Sequence, residues 1–344
     1  MIKKNFIKII IILPIIFISS YSGYLYYHIQ TWKYKGPEKT FIIKPGEGFS
    51  SINHRLSKEN FISSPVIFFR LSKVKNILTS FKVGHFSIKP GMNMTEIIQL
   101  LTTGVGKSIR VTIQEGKNLY EISKILSKKN VIKSAERFIS LTKSNSLTKK
   151  LGIKSINLEG YLYPDTYNFP PQSESEYVIS KMVKNFFNKI KNVKIKTDKF
   201  TLNEIVILSS IVEKETGASF ERPIIAGVFI NRLKKKMRLQ SDPTTIYGIY
   251  ESFNGNLKKK HLRQKTDYNT YKINGLPVGA ISNPGIDSIK AVLNPTNHNY
   301  LYFVSQNDGT HIFTTNYRDH QAAVNKWQKN ARNRKGKSWR QLKK

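Results

Sequence analysis

Two glutamates one residue apart, Glu213 and Glu215, sit near the end of an apolar-periodic segment from Leu202 to Thr216. A carboxyl group can act as a general acid in glycoside cleavage if its surroundings keep it protonated near neutral pH. Helix periodicity separates the pair. At about 100° per residue, Ile205, Leu208, Ile211 and Val212 define one apolar arc, and Glu215 falls roughly 20° from its centre. Glu213 falls on the far side, the place of an ordinary solvated helix glutamate. A glutamate aimed at apolar neighbours must be paired or have a raised pKa, because desolvation penalises its charged form. Pairing with Arg222 or Lys214 would make Glu215 structural, and periodicity alone leaves both roles open.

The helix that must position Glu215 is bounded by Thr201, an N-cap residue type, and by Gly217, a C-terminal stop. Upstream, Phe41 to Gly46 reads as a strand entering a turn, and Ser50 to Glu59 as a helix with Ile52 and Leu56 on one face. Ser63-Ser64-Pro65 is a start signal for a second helix over Val66 to Leu71. Lys82 to Lys89 alternates as a strand, and Met94 to Leu101 reads as a helix closed by Gly104. The phrase Ile43-Lys44-Pro45-Gly46 returns as Ile88-Lys89-Pro90-Gly91. It returns more weakly at Val111-Thr-Ile-Gln-Glu-Gly116, ahead of Tyr120 to Leu126. Strand, Gly-turn and short helix make residues 40–105 a small α+β module similar to a LysM-like carbohydrate-binding module.

The 344 residues have room for two modest domains, and 39% hydrophobic with 11% aromatic content fits a folded chain. The absence of cysteine excludes disulfides, thiolate zinc sites, a Cys nucleophile and an acylated lipoprotein cysteine. Lys+Arg exceed Asp+Glu by 57 to 22, a formal charge of +35. That excess is scattered along the chain and forms no nucleic-acid module, so it is read as a general affinity for anions.

Lys3, Lys4 and Lys8 precede an uncharged run from Ile9 to Tyr27, about long enough to span a bilayer. The positive-inside rule then puts residues 1–8 in the cytoplasm, a transmembrane anchor at 9–27 and the body outside an inner membrane. The competing reading is a cleaved signal peptide, but no A-x-A site follows. Either way the body is exported, which argues against a nucleic-acid partner. The remaining expected boundaries are a tether at 28–39, a connecting subdomain at 106–154, a mixed α+β catalytic domain at 155–330 and a basic tail at 331–344.

Collinear phrases carry a resemblance. They are Leu158-Glu-Gly-Tyr-Leu-Tyr-Pro-Asp-Thr-Tyr167, Leu208-Ser-Ser-Ile-Val-Glu-Lys-Glu-Thr216, Ala226-Gly-Val-Phe-Ile-Asn-Arg-Leu233 and Met237-Arg-Leu-Gln-Ser-Asp-Pro-Thr-Thr-Ile-Tyr-Gly248. Tyr268-Asn-Thr-Tyr271, Gly275 to Gly285, Tyr300 to Val304 and Gly309 to Asn316 complete the order. In this the chain resembles the MltG (YceG-like) endolytic murein transglycosylases.

The resemblance implies an endolytic peptidoglycan lytic transglycosylase with Glu215 as its catalytic acid/base. Glu215 would protonate the oxygen of the MurNAc-β-1,4-GlcNAc bond. Its carboxylate would then take the proton of the muramyl 6-hydroxyl as that oxygen attacks its own anomeric carbon. The product is a 1,6-anhydroMurNAc end, and neither metal nor other cofactor is required. The implied partners are peptidoglycan glycan strands, the membrane and peptidoglycan synthases (penicillin-binding proteins), with no nucleic acid. Candidate substrate-binding residues are Glu159, Tyr163, Glu221, Asn231, Gln240, Asp242 and Asn269. Tyr161, Tyr163 and Tyr167 suit either a sugar-stacking wall or a core strand, and Asp242 suits a ligand or an N-cap equally. The alternatives are a hydrolytic muramidase using Glu159, Asp165 or Asp242 as second carboxylate, and a non-catalytic wall-binding protein.

Overall fold

The computed structural model describes residues 2–104, 106–193 and 200–330, with side chains from residue 12 onward. The tail expected at 331–344 lies outside the described residues. The chain is mixed α+β and divides into two compact units, Met1–Arg110 with Asn168–Gln172, and Val111–Tyr167 with Ser173–Lys344.

The first unit holds α1 (Ile2–Tyr26), β1 (Lys39–Ile43), α2 (Phe49–Lys58), α3 (Pro65–Val74), β2 (Gly84–Ile88) and α4 (Met94–Thr102). Strands β1 and β2 pair antiparallel, with Phe41 opposite Phe86. Phe41, Ile52, Leu56, Phe61, Phe68, Ile88 and Ile97 are buried together as its core. Ser64 caps α3 by accepting from Ile67 N, with Pro65 at the first helical position, as the Ser-Ser-Pro signal predicts. The stretch expected as a tether is partly docked. Tyr34 is buried, Trp32 packs against the core, and Tyr34 N donates to Met92 O at 2.8 Å. Among the described residues no helix is long and apolar enough to cross a membrane. The anchor expected at 9–27 begins on residues 9–11, whose side chains are outside the description.

The second unit runs from β3 (Ile109–Thr112), which begins at the boundary, through α5 (Leu119–Lys128), α6 (Ala135–Thr142) and α7 (Asn145–Lys150) to β4 (Thr166–Phe169), whose last two residues belong to the first unit. It continues with α8 (Ser175–Ile190), α9 (Leu202–Glu215), α10 (Arg222–Lys234), α11 (Asp242–Gly248), α12 (Lys259–Arg263) and α13 (Ile286–Leu293). A hairpin, β5 (Tyr302–Ser305) with β6 (His311–Thr314), and α14 (Tyr317–Val324) close it. From Val111 onward, the residues expected as a connecting subdomain belong to the same unit as those expected as the catalytic domain.

The phrase recurrence noticed in the sequence is a repeated fold. A constant offset of 70 residues takes α2 onto α5, Gly46 onto Gly116, Asn60 onto Asn130 and Ser64 onto Ser134. Both glycines are left-handed, at φ 75° and 74°, and both asparagines stand at φ 57°. Glycine and asparagine tolerate that region, so both turns close without the steric cost that other residues would incur. Both second helices carry a serine cap, Ser134 accepting from Arg137 N. The buried positions also match: Ile43 and Ile113, Ile52 and Ile122, Leu56 and Leu126, Phe68 and Phe138.

Helix α9 is the centre of the second unit, with Ile205 through Val212 all buried. Its start is a capping box: Thr201 Oγ1 accepts from Glu204 N, and Glu204 returns a carboxylate oxygen to Thr201 N. Ser210 stitches it to the Ile281-Ser282 loop, accepting from Ile281 N at 3.0 Å while its carbonyl accepts from Ser282 Oγ. Gly160 packs so closely on α9 that a Cβ would stand 2.4 Å from Val206 Cγ1, and its φ is +89°. Only glycine satisfies both demands.

Candidate active site

Helix α9 ends where its polar residues turn the chain. Thr216 is extended, and its hydroxyl accepts from Ala218 N at 2.9 Å and donates to Glu221 at 3.2 Å. The stop is therefore made by the Thr216 side chain; Gly217 supplies no left-handed turn. Glu215 is left on the last turn, half-buried, at the wall of a cavity of about 1620 Å³. That is larger than a drug-sized pocket, which holds about 300–1,000 Å³. The cavity lies wholly in the second unit. Its walls are the Gln114–Gly116 turn and the start of α5, the end of α9, the first turns of α11 with Tyr250 and Phe253, and the β5–β6 loop.

Burial pushes the Glu215 carboxyl up to about 7, helped by nearby Asp242 and opposed by Ser241 and the more distant Arg232 guanidinium. Ser241 Oγ donates to Oε1 at 2.5 Å. A donor on Oε1 leaves Oε2 as the oxygen that carries the acid proton. Ser241 occupies the N-cap position of α11, yet its hydroxyl is given to Glu215 and not to the helix. Its own backbone is pinned by Thr270 and Thr244, whose hydroxyls bond Ser241 N at 2.9 Å and Ser241 O at 2.6 Å. The arrangement provides a carboxyl that is half-protonated near neutrality, oriented by one hydroxyl and open to a polymer-sized space.

Glu213 corrects the periodicity argument. It is not solvated: its side chain is 6% exposed, accepts from Gly285 N at 3.1 Å and Ser288 Oγ at 2.6 Å, and faces Arg222 at 3.6 Å. The far side of α9 is covered by α13, and the carboxylate sits at that helix's N-terminus, where backbone N–H groups favour negative charge. Arg222 is thereby committed to Glu213 and Glu115, and Lys214 donates to Gly116 O, so neither pairs with Glu215.

Of the predicted substrate-binding residues, Asp242 joins Glu215 at the cavity, exposed and accepting from Tyr271 OH at 2.7 Å. It does not act as the N-cap. The others lie elsewhere. Glu159 is fully buried, pushed up to about 8 by that burial, and accepts from Leu119 N, Tyr247 OH and Asn283 Nδ2. It stands behind Tyr247, whose ring lines the cavity. Glu221 is 2% exposed and stands behind His311. Asn269 is buried, with its amide donating to His261, Leu262 and Gln264 carbonyls. Asn231 donates to the carbonyls of His298 and Tyr300, holding α10 to the segment before β5. Gln240 is exposed in a left-handed turn and does not line the cavity. Tyr161, Tyr163 and Tyr167 are buried core residues, which decides against the stacking wall. Arg232, next to Asn231, is buried and donates to Leu301 O and Leu239 O. These polar residues face inward because the loops they anchor would otherwise leave backbone groups unpaired.

Sequence reasoning missed Ser241, Glu115, Tyr250 and His311 at the cavity, and named Arg222 only as a partner for Glu215. Ser241 had one readable signal, an N-cap residue type before Asp-Pro. Charge is also segregated. The cavity lining carries Glu115, Glu121, Glu213, Glu215, Asp242 and Asp308 against Lys214 and Arg222, although the whole chain is +35. A polyanion such as a nucleic-acid backbone is repelled from such a lining.

The YceG-like family matches residues 41–326. The chain is 34% identical over 302 residues to the endolytic murein transglycosylase of Bacillus subtilis (strain 168), covering 83% of each. It is 28% identical over 360 residues to the endolytic murein transglycosylase of Streptococcus pneumoniae serotype 2, covering 94% of this chain and 65% of that one. It is also similar to the crystal structure of a yceG-like protein from Listeria monocytogenes, with a TM-score of 0.58 and 31% identity, over 83% of this chain and 99% of that one. With a family match across most of its length and a relative this similar, the chain belongs to the YceG-like family.

Proposed function

We propose that this protein is an endolytic peptidoglycan lytic transglycosylase, with Glu215 as its single acid/base. The observation that carries the reading is a half-buried carboxyl, raised to about 7, in a cavity sized for a polymer. Protonated Glu215 gives its proton to the bridging oxygen between MurNAc and GlcNAc, and the C1–O bond breaks. The resulting carboxylate takes the proton of the muramyl 6-hydroxyl, whose oxygen closes on C1. A 1,6-anhydro ring and a free GlcNAc 4-hydroxyl result, with no water consumed and the acid regenerated. Because the nucleophile belongs to the sugar, proximity supplies much of what a second carboxylate otherwise would. The family relatives named as endolytic murein transglycosylases support the same reaction.

The hydrolytic alternative rests on one observation, that Asp242 shares the cavity; Glu159 is enclosed, and Asp165 is tied to Lys189 and Asn185 outside it. Mass spectrometry of digested strands separates the two. Anhydromuramyl ends support the transglycosylase, reducing ends support the hydrolase, and full activity in Glu215→Gln would refute the acid/base assignment.

The location belongs to the same proposal: a single-pass inner-membrane protein with a cytoplasmic N-terminus, acting on nascent strands beside peptidoglycan synthases. Its support is the lysine-led apolar run, and the bare apolar side chains of α1 from Ile12 to Ile18, for which membrane lipid is the fitting cover. The first unit is proposed to be LysM-like and to bind glycan, supported by two helices connecting an antiparallel strand pair.

A further inference from the structure

We propose that His311 touches the glycan strand through Nε2, held in place for that contact by the buried Glu221 carboxylate. The inference rests on reading the cavity as the strand-binding site. His311 begins β6 and lines the same cavity as Glu215. Two of its other polar atoms are already spent on one residue: the backbone N–H donates to Glu221 Oε1 at 2.8 Å, and Nδ1 lies 2.7 Å from Glu221 Oε2. A carboxylate only accepts, so Nδ1 carries the hydrogen and Nε2 is the ring nitrogen left for a partner in the cavity. The ring is also braced edge-on against Phe303, with centroids 5.4 Å apart. Rotating it would strip a hydrogen bond from a carboxylate that is 2% exposed, which is costly in a buried setting.

The same Glu221 oxygen also reaches the end of α9. Thr216, the residue after Glu215, donates to Glu221 Oε2. One enclosed carboxylate therefore fixes both the end of the helix that carries Glu215 and the ring across from it. Glu221 is a positioning residue, and the group it aims is a ring nitrogen suited to a hydrogen bond with a hydroxyl or an amide group. N-acetylated, peptide-bearing sugars offer both.

The two ring nitrogens can be tested separately. Asparagine places its amide nitrogen near the position of Nδ1, so His311→Asn keeps the Glu221 contact and removes Nε2. Glutamine reaches toward Nε2 and gives up the Glu221 contact. His311→Asn is expected to melt close to wild type and to lose about 10- to 100-fold in kcat/KM on glycan strands, as removal of one substrate hydrogen bond implies. His311→Gln is expected to be less stable while retaining more strand affinity. A parallel arm compares the affinity of uncut strands for Glu215→Gln and for Glu215→Gln/His311→Asn, where a similar loss is expected. The proposal fails if His311→Asn cuts and binds as wild type does, or if His311→Gln loses affinity as completely as His311→Asn. Unimpaired cutting by Glu215→Gln would instead sink the acid/base reading, and the binding arm would still report on His311.

Discussion

The run from Lys39 to Val74 and the run from Ile109 to Thr142 are built alike, yet they border different chemistry. Each enters a left-handed glycine turn from a strand, places a ten-residue helix, turns at a left-handed asparagine and starts a second helix on a serine. In the first copy the turn is closed on itself: Glu47 accepts from Arg55 and Ser51, and the Arg55–Glu47 contact is 2.7 Å. In the second, Glu115 and Lys117 stand where Pro45 and Glu47 stood, and Gln114, Glu115 and Gly116 line the cavity of Glu215. The first helix of the second copy also gains a fixed anchor, with Leu119 N donating to buried Glu159 at 3.0 Å. Turns, caps and core spacing define the motif; a few exposed turn positions separate a surface module from the wall of a reaction site.

The largest test of that contrast is at the cavity. Glu215→Gln should lower strand cutting by about 10²- to 10⁴-fold, the usual contribution of a positioned acid/base, and leave the first unit's folding unchanged. In wild type, cutting should fall about tenfold per pH unit above the Glu215 value of about 7, because the acid form is the reactive one. Muropeptide release measured from pH 5 to 9 checks both.

Next comes the core. Phe61→Ala in the first copy should cost about 3–5 kcal/mol and Val131→Ala in the second about 2 kcal/mol, since the lost volume differs. Urea titration of each variant measures this; equal losses would mean that the copies are packed by different rules.

Glu215 should also reveal itself in stability. Its proton is held more tightly in the folded chain, so between pH 4.5 and about 7 the unfolded state holds fewer protons and stability falls as pH rises. Glutamine has no such slope. The stability advantage of Glu215→Gln should be absent below pH 4.5, grow through that window and level off above about pH 7.

The smallest expected effect separates the turns. Gly46→Ala and Gly116→Ala should each cost about 1 kcal/mol, because both positions are left-handed. Only Gly116→Ala should also reduce cutting, since Gly116 lines the Glu215 cavity and strain at its turn would disturb that wall, whereas Gly46 lies outside it. Equal activity in the two variants would remove the functional difference between the copies.

Local signals were readable from the chain itself. The Ser64 and Thr201 caps, the Gly46 and Gly116 turns, the span of α9 and the prominence of Glu215 all follow from residues within one or two turns of one another. Those are steric and hydrogen-bonding rules acting over a few residues, so a linear sequence contains them. What each polar side chain faces depended on how the loops fold back, and for Glu213 and Glu159 on segments 72 to 124 residues away. Glu213 looked solvated until Gly285 and Ser288 covered it, and Glu159 and Asn269 looked like ligands until Asn283 and the 261–264 loop enclosed them. Ser241 has the residue type of a cap, but its hydroxyl goes to Glu215 while Thr270 and Thr244 hold its backbone. A glutamate's type and helix phase are properties of sequence. Its burial, partner and proton affinity are properties of whatever the fold brings against it, and that only the tertiary structure decided.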